Sequence, residues 1–132
     1  MGKYGNILVV DDELGPRASL KAILESNYNV YTAESGRAAV ETIKEHPIDI
    51  VTLDLWMPDM DGLETLKNIK AYKPDIEVIL ITGFRDTESE AKATDYGVYE
   101  YITKPFDIKK LLFTVKNAIL SRQGKSLSHR IC

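Results

Sequence analysis

Three aspartates, a threonine and a lysine stand out because each ends or directly follows an apolar run of strand length. They are Asp11 and Asp12 after the run at 6–10, Asp54 after 48–53, Thr82 closing 77–82, and Lys104 after 99–103. A carboxylate at the end of a buried strand costs free energy unless a partner or a ligand compensates its charge. These residue types together can bind a hard cation and receive an anionic group.

The carboxylates indicate the chemistry. Two like charges about 4 Å apart repel by roughly 4 kcal/mol at an effective dielectric constant near 20, so the cluster needs a retained proton or a bound cation. Oxygen ligands without histidine or cysteine favour a hard ion, and Mg²⁺ fits best because it accepts few carboxylates and keeps waters. A carboxylate beside such an ion, an ammonium and a hydroxyl can also accept a phosphoryl group as an acyl phosphate.

Five strand-like runs alternate with segments of helical spacing, and this alternation positions the polar residues. The predicted strands are NILVV at 6–10, NVYTA at 29–33, IDIVTL at 48–53, EVILIT at 77–82 and YEYIT at 99–103. The predicted helices begin near Leu14, after Ser35 as N-cap, after Gly62, at Asp86 and after Asp107 as N-cap. We therefore predict an α/β fold in which five helices flank a five-stranded parallel sheet.

The connections favour a doubly wound, flavodoxin-like sheet with strand order 2-1-3-4-5. The second run alternates more than the others, which is typical of an edge strand. Ligands of such sheets bind outside the carboxyl ends of the strands, where the strand order reverses. The polar residues that follow the strands are therefore predicted to meet in one pocket.

The composition indicates one soluble domain. The chain has 132 residues, 44% of them hydrophobic and 28% charged, and a net charge of −3 from mixed signs, which argues against direct nucleic acid contact. No apolar run approaches the length of a membrane span, and a single cysteine, Cys132, suits a reducing cytoplasm. We predict a cytoplasmic protein with its domain over 1–121 and a polar tail or the start of a linker over 122–132.

The polar residues that follow the predicted strands, in this order and spacing, resemble the receiver domain of two-component response regulators from Asn6 to about Leu120. The residues that carry the resemblance are Asp11-Asp12, Asp54, Thr82, Tyr101 and Lys104-Pro105. The segment DLWMPDMDG resembles the phosphorylation loop of that family, from the acceptor through Met57, Pro58 and Gly62. A receiver domain is a regulatory phosphoprotein and not an enzyme in the ordinary sense, although it promotes its own phosphotransfer and dephosphorylation.

The resemblance implies a phosphoacceptor and a metal site. Asp54 would take the phosphoryl group from a sensor histidine kinase or a phosphotransfer protein. Asp12 and Asp54 would bind Mg²⁺ directly, Asp11 would act largely through water, and the backbone carbonyl of Trp56 would be a further ligand. The domain would then switch conformation to control an output domain or a partner protein.

The resemblance also implies how the switch works. Lys104, in a cis Lys104–Pro105 bond, would pair first with the acceptor and then with the phosphoryl group. Thr82 would move toward the phosphoryl group, and Tyr101 would turn inward behind it. Aromatic residues around the fourth helix, fifth strand and fifth helix, including Phe84, predict partner contact or a phosphorylation-dependent homodimer.

Each residue alone also has a plain structural interpretation. Asp11 and Asp12 are suited to cap the first helix, Thr82 is a good strand residue, Tyr101 is suited to core packing, and Lys104 alone is usually solvated. Among other functions, a haloacid-dehalogenase-like phosphohydrolase typically has an acid–base aspartate two residues past its nucleophile, where Trp56 stands. A flavodoxin-like nucleotide binder conflicts with the acidic loop after strand one. A receiver-like docking module without phosphorylation is the third alternative.

Overall fold

The computed structural model describes residues 3–57 and 61–131, with the backbone alone over 125–131. The predictions that concern Pro58 and Cys132 fall outside the described residues. Strands and helices alternate along the chain as the sequence predicts. They are β1 Asn6–Val10, α1 Leu14–Leu24, β2 Asn29–Ala33, α2 Gly36–Glu45, β3 Ile50–Leu53, α3 Gly62–Tyr72, β4 Glu77–Thr82, α4 Thr87–Asp95, β5 Glu100–Thr103 and α5 Ile108–Ile131.

The five strands form one parallel sheet in the order β2-β1-β3-β4-β5. This confirms the predicted fold class and strand order. All residues of β3 and β4 are buried, whereas β2 has exposed residues and lies at an edge. In this order β1 and β3 are neighbours. The chain continues from β1 into α1 on one face of the sheet and from β3 into α3 on the other.

The core formed by the described residues consists of two apolar clusters, one on each face of the sheet. Because side chains alternate along a strand, Leu8 and Val10 join the cluster that includes residues of α2 and α3, whereas Ile7 and Val9 join the cluster that includes residues of α1 and α5. Burying a side chain of this size contributes about 1.5–3 kcal/mol. The two clusters fix the sheet, and the sheet in turn fixes the positions of its carboxyl-end residues.

Side-chain caps mark the start of four of the described helices. The oxygens of Ser35, Asp61 and Asp86 accept hydrogen bonds from the backbone N–H three residues on, at 3.1, 2.8 and 2.8 Å. Such a cap typically contributes about 1 kcal/mol. The carboxylate of Asp107 accepts the N–H of Lys109, two residues on, at 2.9 Å. The structure thus confirms the two predicted caps, Ser35 and Asp107.

The last helix, α5, continues past residue 121 and through Ile131. Ser121 donates a hydrogen bond to Glu77 at 3.1 Å, and the guanidinium of Arg122 lies 2.9 Å from a carboxylate oxygen of Asp49. These contacts attach the helix to the amino end of the sheet on both sides of the predicted boundary. The division into 1–121 and 122–132 remains a prediction.

No helix within the described residues is both long and apolar enough to cross a membrane.

Candidate functional site

The carboxyl ends of β1 and β3 bring three aspartates together. Asp11, Asp12 and Asp54 each offer a carboxylate oxygen, and these oxygens lie within 4.8 Å of one another. Asp11 is buried, Asp54 is partly buried and Asp12 is exposed. The backbone N–H of Asp54 donates to the carbonyl of Val10 at 3.1 Å, which extends the sheet pairing to the start of the site. The convergence predicted from the strand order is therefore present.

Lys104 supplies the positive charge of the cluster. Its ammonium lies 3.2 Å from a carboxylate oxygen of Asp11 and 3.5 Å from one of Asp54. Its backbone N–H donates to the carbonyl of Thr82 at 2.7 Å, which ties the lysine to the end of β4. The Lys104–Pro105 bond is cis, as the resemblance implies.

The site retains an excess of negative charge. Among the described residues, one ammonium faces three carboxylates, so the cluster carries two more negative charges than positive ones when all three aspartates are ionised. Burial raises the pKa of Asp54; the Trp56 N–H and the charge of Lys104 oppose that rise, and the charge of Asp11 adds to it. The pKa of Lys104 is raised because the carboxylates of Asp54 and Asp11 outweigh burial, which alone would lower it. The geometry and the charge suit a hard divalent cation.

Asp11 also bonds the backbone at the start of α1, the helix that its sequence position suits it to cap. One of its carboxylate oxygens accepts the backbone N–H of Glu13 at 2.9 Å, next to the start of α1, while the other faces Lys104. The N-cap residue itself, Glu13, makes no side-chain cap. Arg17 adds a contact that the sequence pattern does not indicate, because its guanidinium donates to the Asp11 carbonyl at 2.9 Å.

Thr82 is fully buried at the end of β4, and its hydroxyl is engaged by its own loop. The hydroxyl donates to the carbonyl of Phe84 at 3.2 Å, and the N–H of Phe84 donates to the hydroxyl at 3.3 Å. Thr82 is paired with Thr103 in the sheet, directly before Lys104. The structure thus places Thr82 beside the lysine, with its hydroxyl bonded to the loop that follows.

Tyr101 lies deeper in the sheet than the carboxylates. It pairs with Leu80, two residues before the pairing of Thr82 with Thr103, which corresponds to about 7 Å along the strand. Its side chain is buried in the apolar cluster that also contains Met57. Tyr101 is therefore not part of the carboxylate cluster, and its role as a switch stays a prediction.

Trp56 contacts the acceptor through its backbone. Its N–H donates to a carboxylate oxygen of Asp54 at 3.2 Å, while its side chain is half exposed and its ring centroid lies 6.3 Å from that of Phe84. The ring offers no proton-transfer group at the position where a haloacid dehalogenase-like enzyme would have an aspartate. The predicted metal contact of the Trp56 carbonyl stays a prediction.

Arg85 is a contact residue that sequence reasoning missed. Its guanidinium lies 4.6 Å above the ring of Tyr101 and 3.2 Å from the hydroxyl of Thr103. A single arginine in a polar loop has the pattern of a solvated side chain, so the sequence carries no signal for this contact.

The fold and this site define a class of protein, and comparison with known proteins agrees. The sequence matches the family model of the response regulator receiver domain over residues 7–116. The chain therefore belongs to the receiver domains of two-component response regulators, a family of regulatory domains whose general role is to accept phosphoryl groups.

Curated relatives are longer bacterial regulators. The chain is 40% identical over 115 residues to the transcriptional regulatory protein ZraR of Escherichia coli strain K12, and the match covers 86% of this chain and 26% of ZraR. It is 32% identical over 131 residues to the regulatory protein AtoC of the same strain, covering 98% of this chain and 28% of AtoC. The chain thus spans only about a quarter of the length of these relatives.

Solved structures share the fold over nearly the whole chain. A CheY-like response regulator receiver domain from Methanospirillum hungatei JF-1 superimposes with a TM-score of 0.89 at 28% identity, covering 92% of this chain and 98% of that one. NtrX from Brucella abortus, solved in complex with ADP, gives a TM-score of 0.90 at 30% identity, covering 97% of this chain and 30% of that one.

Proposed function

We propose that this receiver domain accepts a phosphoryl group on Asp54 from a sensor histidine kinase or a phosphotransfer protein, uses Mg²⁺ in doing so, and changes conformation to control an output domain or a partner protein. The observation that carries this proposal is the position of Asp54. Its carboxylate lies 3.5 Å from the Lys104 ammonium and within the three-aspartate cluster, at the edge of the sheet where the strand order reverses.

The transfer step follows from the chemistry of the groups present. A carboxylate oxygen of Asp54 would form a bond to phosphorus while the bond from phosphorus to the donor nitrogen breaks. The Lys104 ammonium, already 3.5 Å from Asp54, would neutralise charge on the phosphoryl oxygens. Thr82 would give up its hydrogen bonds to Phe84, and its hydroxyl would donate a hydrogen bond to a phosphoryl oxygen. The product would be an acyl phosphate on Asp54.

The residues present fit a magnesium ion. Within the described part of the chain, the donor atoms are carboxylate oxygens with no histidine or cysteine among them, and the cluster holds more negative than positive charge. Asp12 and Asp54 would hold the ion directly, Asp11 largely through water, and Trp56 through its carbonyl. When bound, Mg²⁺ would neutralise charge on the acceptor and on the entering phosphoryl group.

Mg²⁺ is expected to stabilise the wild-type protein against thermal unfolding, because the ion binds only the folded cluster. The gain is about 2.7 kcal/mol at a hundredfold excess over the dissociation constant. Asp12→Ala should abolish most of this gain, and in metal-free buffer it should also relieve repulsion between the carboxylates. The measurement is a thermal melt with and without Mg²⁺.

Asp75→Ala is the matched control, because Asp75 is an exposed carboxylate before β4, at the opposite edge of the sheet. It should keep the full Mg²⁺ effect. Equal melting shifts in wild type and Asp12→Ala would place the ion elsewhere.

The emission of Trp56 should report both ligands, because Trp56 is the only tryptophan in the chain. The backbone N–H of Trp56 donates to the Asp54 carboxylate. An ion or a phosphoryl group on Asp54 should therefore change the position of this residue and the environment of its ring. We expect a saturable emission change with Mg²⁺ and a second, reversible change when a small phosphodonor is added. Asp54→Asn should lose the second change. An emission that responds to neither addition would contradict the proposed site.

A further inference from the structure

Arg85 connects three parts of the molecule around the ring of Tyr101. It belongs to the loop between β4 and α4, three residues after Thr82. Its guanidinium stacks over the Tyr101 ring at 4.6 Å, donates to the Thr103 hydroxyl at 3.2 Å, and forms an ion pair with Glu90 in α4. One side chain thus joins the loop, β5 and α4.

Among the described residues, Tyr101 makes its polar contact through its ring and not through its hydroxyl. The side chain is buried, and its hydroxyl is a buried atom without a hydrogen bond to any described residue. Burial raises the pKa of Tyr101, with a further rise from the charge of Asp86 and an opposing effect from Arg85, so the phenol stays neutral at ordinary pH. A buried hydroxyl without a hydrogen bond destabilises the folded state, whereas a guanidinium stacked on an aromatic face stabilises it.

The same short loop also binds Thr82. The hydroxyl of Thr82 is bonded to both the carbonyl and the N–H of Phe84, the residue before Arg85. A movement of that hydroxyl toward Asp54 would break both bonds and release the backbone that carries Arg85. The stack on Tyr101 and the Thr82 bonds therefore hold one segment, residues 83–85, in one arrangement.

We propose that Arg85 is a positioning residue that holds Tyr101 and the β4–α4 loop in the resting arrangement, so that phosphorylation must disrupt its stack on the tyrosine ring. The inference rests on the proposed phosphorylation of Asp54. Without the stack, as in Arg85→Ala, the rearranged state has a lower free energy relative to the resting state. The unphosphorylated variant therefore populates the rearranged state more often than the wild type does.

The test is a double-mutant cycle on the rate of phosphorylation by a small phosphodonor with Mg²⁺, followed by intact mass. Arg85→Ala should raise the initial rate about three- to tenfold, which corresponds to the loss of one cation–π contact. The same gain should appear in a Tyr101→Phe background, because the ring face is kept. It should vanish in a Tyr101→Leu background, because no ring remains for Arg85 to hold.

Two controls separate the stack from charge and from general damage. Lys92→Ala removes a cation of α4 whose partner is the exposed carboxylate of Glu88 at 3.3 Å, and it should leave the rate unchanged. Without any phosphodonor, the ring NMR signals of Tyr101, assigned by their loss in Tyr101→Phe, should shift in Arg85→Ala and not in Lys92→Ala.

The outcomes distinguish this inference from the proposed function. A wild-type protein that is never labelled would overturn the phosphorylation of Asp54, and the inference with it. A labelled wild type with an unchanged or slower Arg85→Ala rate would overturn the inference alone. A rate gain that persists in the Tyr101→Leu background would also overturn it, since the effect would not act through the ring.

Discussion

Lys104→Ala is expected to lower the free energy of unfolding of the metal-free protein by about 2–3 kcal/mol. The substitution leaves Asp11, which is 2% exposed, and Asp54 without their cationic partner. Removing one partner of a fully buried pair costs about 3–5 kcal/mol, and the expected loss is smaller here because the lysine side chain is 25% exposed. Urea denaturation in a chelating buffer would measure the change.

Mg²⁺ should recover part of the stability that Lys104→Ala loses, because a divalent cation replaces the missing charge. The matched control is Lys92→Ala, whose ion pair with Glu88 is exposed and should contribute less than about 0.5 kcal/mol. A loss for Lys104→Ala as small as that of the control would show that the lysine does not compensate the buried carboxylates.

Gly62→Ala is expected to destabilise the protein by about 3 kcal/mol, at the upper end of the range for overpacking. A methyl group at this position would overlap the Leu55 Cα and would lie 2.7 Å from the carbonyl oxygen of Asp54. Both neighbours are backbone atoms, so relief requires a shift of the chain directly after the acceptor. We therefore also expect weaker Mg²⁺ binding, read from the Trp56 emission.

Gly15→Ala is the matched control for Gly62→Ala. A methyl group on Gly15 meets nothing within 4 Å, so this variant should have unchanged or slightly raised stability. If both variants unfold at the same denaturant concentration, the close approach of Gly62 to the Leu55 backbone does not constrain the loop.

The sequence was sufficient to predict the fold because its strands are strongly apolar and its topology is constrained. The bounds of β1, β2 and β4 agree with the prediction, whereas β3 begins at Ile50, two residues late, and β5 at Glu100, one residue late. At β3 the difference has a physical reason. The backbone N–H of Asp49 donates to the Asn6 carbonyl at 2.9 Å, but the Asn6 N–H donates to the Asp49 carboxylate at 2.8 Å, so a side chain replaces one backbone acceptor at the start of the pairing.

The candidate site also has a part that the sequence predicts and a part that it does not. The meeting of Asp11, Asp12, Asp54 and Lys104 follows from strand order alone, since each residue follows a strand. The contacts of Arg85 and the bonds between Thr82 and Phe84 depend on loop conformation and rotamers, which no periodicity encodes.

The sequence carries no signal for the continuation of α5 past residue 121. Residues from Arg122 onward read as a polar tail, because their composition is polar and basic. The partners of Ser121 and Arg122 are Glu77 and Asp49, far away in the sequence, and only the folded chain brings them together.

The most direct test of phosphoryl transfer to Asp54 is the intact mass of the protein after incubation with Mg²⁺ and a small phosphodonor. We predict the addition of one phosphoryl group to wild type and none to Asp54→Asn. Asp61→Asn should be labelled like wild type, because asparagine preserves the helix cap that Asp61 provides to the Glu64 N–H at 2.8 Å. Undiminished labelling of Asp54→Asn would contradict the assignment of Asp54 as the acceptor.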